Sequence, residues 1–454
     1  MAEPAPDLRI PPSVNTVDVS IIDTTASIRG VPANLLLAPP VEGYDWLAVP
    51  VFSFLIHHPT LKRSIIFDLG VRKDWHNLSP SVVSRIERLG WTVNVEKDVS
   101  EILKAGGVDV KTVEAIIWSH HHFDHTGNPN TFPPSTSLIV GPGFKATMLP
   151  GYPANPDSPI LESDLANRQL IELDFSPASA SGTQSSRGGT PRFAPLSIGR
   201  FRALDYFNDG SFYLLDTPGH ATGHISALAR VTPCSSNTTT AIPQSPKPTS
   251  SPTLATAAAT GPEQESFILL TGDAIHHPGE IRPSRYLPLP ASVVPDPFAP
   301  DPHPLESHYG CPGDIFAQPL LAGRGRPACG PIYEPARVVE EAKASIEAEE
   351  AAAGEEQGKF GNDNKWNEDV DALLDTVSKL QEADAHDNIF VAAAHDETLL
   401  DHVVFFPEGT MNEFAHKQWV ARVRWRFLRD FAAAVGKLDH EFGRRRWGPE
   451  KSET

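Results

Sequence analysis

The run Ser119–Asn128, SHHHFDHTGN, places His120, His122, Asp124 and His125 on one short stretch directly after the apolar residues Ala115–Trp118. Imidazoles and a carboxylate at this density suit zinc or a similar divalent ion. A surface histidine run or a purification tag is the plain alternative, but such runs lack the embedded aspartate and do not follow a buried strand. On a tight loop after a strand, alternate side chains point opposite ways, so one loop can feed two adjacent ions. The rest of the chain must then fold so that further donors reach this loop.

Those donors occur in order along the sequence. Leu214–Ser226, LLDTPGHATGHIS, reads as a strand and glycine turn presenting His220. Phe267–Ala274, FILLTGDA, is an apolar strand delivering Asp273, and Asn388–Asp396, NIFVAAAHD, is another delivering His395. Strand ends that each finish in a potential ligand are hard to obtain by accident.

Elsewhere the sequence alternates strand and helix signals. Residues 16–22, 47–56 and 64–68 read as strands, with His57–Thr60 as a hairpin connection between the second and third. Ser79 and Pro80 mark a helix start, with Val83, Ile86 and Leu89 on one face and Gly90 as its stop. Asp98 and Glu101 form a capping-box pattern before Ile102 and Leu103. Val420, Val423, Phe427, Phe431 and Val435 recur at helical spacing before Gly436 and are expected to pack into a core. Chemistry at the C-terminal ends of strands in this order implies a layered α/β fold.

Low-complexity stretches at about 176–192 and 233–265 have too little apolar surface to offset their ordering entropy and are expected to be disordered surface loops. A third insertion, at about 347–364, begins in a helix near Pro335 and is expected to end as solvated helix plus loop. They interrupt one catalytic domain, residues 15–436, between a flexible N-terminus (1–14) and a C-terminal tail (437–454). The Pro-rich segment Arg282–Pro302 is expected to wrap over the pocket without regular structure.

The net charge of −19, with no basic stripe, disfavours nucleic acid and anionic membrane as partners. No apolar run approaches the roughly 20 residues of a membrane span. The N-terminus lacks a basic start and an apolar h-region, so no signal peptide is evident. Three scattered cysteines, Cys234, Cys311 and Cys329, fit a reducing, cytoplasmic setting, with a Cys311–Cys329 pair left open.

The ligand pattern resembles the metallo-β-lactamase superfamily, and within it the lactonase-like branch of acyl-homoserine-lactone lactonases and fungal lactamase or lactonase enzymes. The resemblance spans roughly residues 15–435 outside the insertions. It implies a four-layer αββα sandwich with the site along one edge of two sheets. His120, His122 and His220 would hold a first metal, Asp124, His125 and His395 a second, and Asp273 would bridge both; the ions expected are two divalent cations, zinc first. Asp68, in Asp68-Leu69-Gly70, would support the ligand loop. His121 should point away from the metals, and His224 should serve a supporting or structural role.

This resemblance implies a dinuclear hydrolase that opens a cyclic ester or amide of a small molecule, a lactone or lactam, through a metal-bound hydroxide. A thioesterase of the hydroxyacylglutathione or polyketide-releasing type is the alternative. Asp124, Asp273 and His276 are the expected catalytic residues. The bacterial lactonases carry a tyrosine three residues after the bridging aspartate; here His276 stands there, able to hydrogen-bond an oxyanion, protonate a leaving group or merely pack. Tyr44, Trp46, Phe123, Tyr286, Phe298 and Tyr309 are candidate pocket walls. The oligomeric state is left open.

Overall fold

The early strands form close to where the alternation places them. They are Asp18–Arg29, Pro50–His58 and Arg63–Phe67, and the last two join in a hairpin that pairs His58 with Arg63 and Ile56 with Ile65. The helix Pro80–Arg88 starts at Ser79 with proline in its first turn, and the helix Val99–Ala105 carries the Asp98/Glu101 capping box. This is a computed structural model, and it describes residues 2–176, 193–234, 264–299, 310–321, 330–335 and 367–437. Nearly all of the expected insertions, and the tail beyond Lys437, lie outside the described residues, as do Tyr309 and Cys329. Cys311 is a buried free thiol.

Two sheets carry the fold. The seven-stranded sheet runs Thr92–Asn94, Asp18–Arg29, Pro50–His58, Arg63–Phe67, Val113–Ile117, Ser137–Val140, Leu170–Glu172. Its first half is antiparallel, while its last four strands run parallel because helical crossovers connect them. The six-stranded sheet runs Ile389–Ala392, Ser266–Leu270, Ile225–Thr232, Phe212–Asp216, Phe201–Asp205, Ala194–Ile198. It is antiparallel except where Ile389–Ala392 lies parallel to Ser266–Leu270.

Side-chain alternation assigns the layers. Phe52, Phe54, Ile56, Ile65, Phe67 and Ile117 of the first sheet meet Phe212, Leu214, Ile225, Ile268, Leu270 and Phe390 of the second in one shared core. The opposite face of the first sheet, with Leu55, Ile66, Ile116 and Leu138, is covered by Val99 and Leu103 of a helix. The opposite face of the second, with Tyr213, Leu228, Leu269 and Val391, is covered by Leu373, Val377 and Leu380 of the helix Val370–Asp384. Helix, sheet, sheet, helix is the αββα sandwich. Each fully buried Val, Leu, Ile or Phe contributes roughly 1.5–3 kcal/mol, which is why both faces of both sheets are covered.

Two expectations need correction. The segment before residue 15, expected to be flexible, packs on the second sheet: Leu8 is buried there, its carbonyl accepts the Gly199 N–H at 2.6 Å, and the Ser13 hydroxyl donates to the Asp209 carbonyl at 2.6 Å. Ile10 packs on the same cluster beside Leu8, and the Arg230 guanidinium donates to the Pro11 carbonyl. The expected C-terminal helix is instead a short α-turn, Trp419–Val423, followed by the 3₁₀ segment Arg426–Phe431. Spacings of three and four residues suit either helix type, so Val423, Phe427 and Phe431 are buried as expected on a tighter backbone. No helix among the described residues is long and apolar enough to cross a membrane.

Candidate metal centre

All the expected ligands sit just past strand ends on one edge of the sandwich. Val113–Ile117 leads to His120–His125, Phe212–Asp216 to His220, Ser266–Leu270 to Asp273 and Ile389–Ala392 to His395. Gly272 makes the turn before Asp273 possible. Its φ is +53°, and a Cβ there would lie 2.9 Å from His224 Nε2 and 3.0 Å from the Ser119 Cβ.

The donors converge in two groups, His120, His122, His220 and Asp273 on one side and Asp124, His125 and His395 on the other. In the first, His122 Nδ1 lies 2.9 Å from His120 Nε2 and 3.0 Å from His220 Nε2. Donor atoms about 2.0–2.1 Å from a tetrahedral ion stand roughly 3.3 Å apart, so this spacing is as compatible with ligands around one ion as with hydrogen bonds between the rings. Asp273 faces both groups with different oxygens. Its Oδ2 is 3.9 Å from His120 Nε2 and 3.7 Å from His220 Nε2, while its Oδ1 is 3.1 Å from His125 Nε2 and 3.2 Å from His395 Nε2. Asp124 Oδ2 stands 3.5 Å from His395 Nε2.

The residues fit divalent ions on a direct observation: His125 Nε2 and Asp273 Oδ1 are buried, close together, and without a hydrogen-bond partner among the described residues. A buried donor or acceptor left unpaired costs about 1–3 kcal/mol, and a cation between them satisfies both. The titration behaviour agrees. Burial first, and the neighbouring imidazoles next, hold His120, His122 and His220 well below the usual histidine range, in the neutral form that binds metal. Burial also disfavours charge on His125 and His395, but the Asp273 carboxylate outweighs it and raises both. Asp273 is correspondingly held well below the carboxylate range: burial opposes this, and His125 and His395 overcome it.

Hydrogen bonds made by the far side of each ring choose the nitrogen that faces inward. His395 Nδ1 donates to the Pro50 carbonyl at 2.8 Å, and His125 Nδ1 to Asp68 Oδ2 at 2.9 Å. The Ser119 hydroxyl donates to Asp68 Oδ2 at 2.7 Å and so accepts from His120 Nδ1 at 3.0 Å. Asp68 Oδ1 takes the Ser119 N–H at 2.6 Å, and its left-handed φ of 60° aims the carboxylate under the loop.

The other histidines separate clearly. His224 donates from Nδ1 to the Thr217 carbonyl at 3.0 Å and accepts the Asp273 N–H on Nε2 at 3.1 Å. It thereby fixes the Asp273 backbone, with burial pushing its pKa down to about 3. His121 is buried and belongs to neither donor group, its pKa pushed by burial to about 4, with Nε2 3.9 Å from Glu368 Oε1. His276 lies beside the donors: its Nε2 is 3.4 Å from Asp273 Oδ2 with no hydrogen-bond partner among the described residues, and its ring centroid is 4.8 Å from that of His220.

Several residues that shape this region were not found from the sequence. Glu280 is fully buried and accepts the backbone N–H of His276 at 2.6 Å and of His277 at 3.1 Å, which fixes the turn carrying His276. Its capping arrangement with His277 was visible as His277-Pro278-Gly279-Glu280. His277 Nε2 faces Asp430 at 3.2 Å, and its ring lies 5.1 Å from that of Tyr44. Tyr44 and Phe123 are half-buried on the same apolar cluster. Trp46 is half-buried beside Pro32, and Tyr286 lies beneath the Arg285 guanidinium at 4.8 Å. Phe298 does not line a pocket; it stacks on Phe316 at 5.7 Å within the core, since its Pro-rich segment folds inward there.

Comparison with known proteins agrees with this geometry. Residues 48–230 match the family model described as the metallo-beta-lactamase superfamily. The chain is 39% identical over 430 residues to gamma-lactamase FDB1 of Fusarium pseudograminearum (strain CS3096), covering 94% of this chain and 85% of that protein. It is 36% identical over 446 residues to metallo-hydrolase mfmC of Annulohypoxylon moriforme, covering 97% and 94% respectively. Gamma-lactamase MBL2 of Gibberella moniliformis (strain M3125 / FGSC 7600) is 41% identical over 286 residues, 62% of this chain and 99% of that one. A sandwich whose strand ends deliver histidines and aspartates to one buried edge, in a chain so close to these proteins, belongs to the metallo-β-lactamase superfamily and is one of its hydrolases.

Proposed function

We propose that this chain, with residues 15–436 as its catalytic unit, holds two divalent ions, zinc first among them, and opens the cyclic ester or amide of a small molecule. The observation that carries the two-ion reading is Asp273, whose two oxygens face separate histidine groups. His120, His122 and His220 would hold one ion, Asp124, His125 and His395 the other, with Asp273 shared. Bound there, the ions would lower the pKa of a shared water toward neutrality and polarise the carbonyl under attack. The lactam side of the substrate class is supported by relatives named gamma-lactamases that match 94% and 62% of this chain.

The protein's own residues supply orientation and a proton. The buried hydrogen bonds to Pro50, Asp68 and Ser119 lock the imidazoles, so little reorganisation accompanies the reaction. His276, anchored by Glu280 and presenting an unpaired Nε2 beside Asp273, is placed to hydrogen-bond the developing oxyanion or protonate the leaving atom. Replacing His276 by phenylalanine should lower kcat by roughly 10²-fold, the low end of general acid–base effects, while metal content stays at the wild-type level. A variant with unchanged kcat would return His276 to packing.

The substrate class is tested by screening lactones, lactams, aryl esters and thioesters on the metal-loaded protein, with Asp124→Ala as control. Ring opening of lactones or lactams that is lost in the control supports the reading. Preferential turnover of thioesters would replace it with a thioesterase.

A further inference from the structure

We infer that Asn367 is a positioning residue for the metal centre, fixing which nitrogen His220 presents; this rests on the two-ion reading above. His220 Nδ1 donates to Asn367 Oδ1 at 3.0 Å, and both side chains are buried. That bond leaves Nε2 bare toward His122 and Asp273. The Asn367 amide nitrogen finds no partner among the described residues. An unsatisfied buried amide costs about 1–3 kcal/mol, which packing alone does not require. The side chain is thus held in place by what its oxygen does for His220.

The flanking residues extend the contact. The Glu368 N–H donates to the His220 carbonyl at 3.1 Å, and the Asp369 N–H to the Gly219 carbonyl at 2.9 Å. The Thr376 hydroxyl donates to the Pro218 carbonyl at 2.8 Å. The fit is close enough that a Cβ on Gly219 would lie 2.2 Å from the Leu373 nitrogen. The Glu368 carboxylate accepts from the Thr222 hydroxyl at 2.5 Å and lies 3.9 Å from His121 Nε2. Residues 367 and 368 therefore touch both loops that carry His120, His122 and His220. The second donor group is oriented from elsewhere, His125 by Asp68 and His395 by Pro50. The structure thus assigns Asn367 to one of the two ions.

The test follows metal release from zinc-loaded full-length protein into excess chromogenic chelator. Asn367→Leu keeps the volume and removes the acceptor, and Asn367→Asp keeps the acceptor; Asn367→Ala carries the test if the leucine variant is insoluble. The leucine or alanine variant should release one equivalent roughly 10–100-fold faster, with the other unchanged, and aspartate should restore the slow rate. Release of both equivalents at the wild-type rate overturns the assignment, as does an aspartate variant as fast as leucine. Wild-type protein that binds only one ion, or none, overturns the two-ion reading itself, and this assignment with it.

Discussion

Alanine at position 273 is expected to cut hydrolysis of any substrate the enzyme turns over by at least about 10³-fold, near the upper end for loss of one electrostatic group. Metal content should fall with it. Asp273 is the residue that both donor groups share, with Oδ1 toward His125 and His395 and Oδ2 toward His120 and His220. Its removal leaves two clusters of buried imidazoles with no carboxylate between them, so bound ions would lie close without a shared negative charge. Asp273→Asn is informative beside it. The amide keeps the shape and the backbone N–H to His224 but loses the charge that raises His125 and His395. Steady-state rates and metal analysis of both variants give the result. Turnover within a few-fold of wild type in the alanine variant would remove Asp273 from the site.

Replacement of Asp68 by alanine should act through the ligand loop and show itself even without metal. Asp68 accepts the Ser119 N–H, the Ser119 hydroxyl and His125 Nδ1 in a fully buried setting. Hydrogen bonds to a charged group contribute about 1.5–3 kcal/mol each, though removing several from one network is not additive. Alanine also tolerates the left-handed backbone at this position less well than aspartate. The chelated protein should therefore lose about 3 kcal/mol or more in urea denaturation, and metal affinity should weaken about 10–100-fold. Asp68→Asn should recover part of the stability by accepting the Ser119 N–H, yet its amide would face His125 Nδ1 donor to donor. A urea midpoint and metal affinity that do not move in the alanine variant would reduce Asp68 to a space-filling role.

The candidate site was largely legible in the sequence because its candidate ligands are short-range features. Each stands a few residues past an apolar strand, and strand alternation is a local property that survives in the linear chain. His276 was legible through its offset from Asp273, and Asp68 through the Asp-x-Gly strand end. Asn367 was not legible. A single asparagine in KWNEDV carries no pattern, and its partner His220 lies 147 residues away. Glu280 was half-visible as a capping residue, but nothing local said that its carboxylate would be buried beneath His276. Phe298 was misread because an aromatic in a Pro-rich stretch has no periodicity to reveal whether it faces a pocket or a core.

Residue order alone was enough to read the donor types on the His120–His125 loop, the strands that feed it and a layered α/β fold, whereas the αββα stacking came from the resemblance to the metallo-β-lactamase superfamily. Tertiary structure decided which nitrogen each histidine offers and how Asp273 divides its two oxygens. It also decided which distant groups, Asp68, Pro50 and Asn367, hold the rings in place. The reason is physical. Residue type and strand period are set within a few positions of the chain, whereas a ring's orientation is set by a hydrogen bond about 3 Å long to whatever the fold brings alongside.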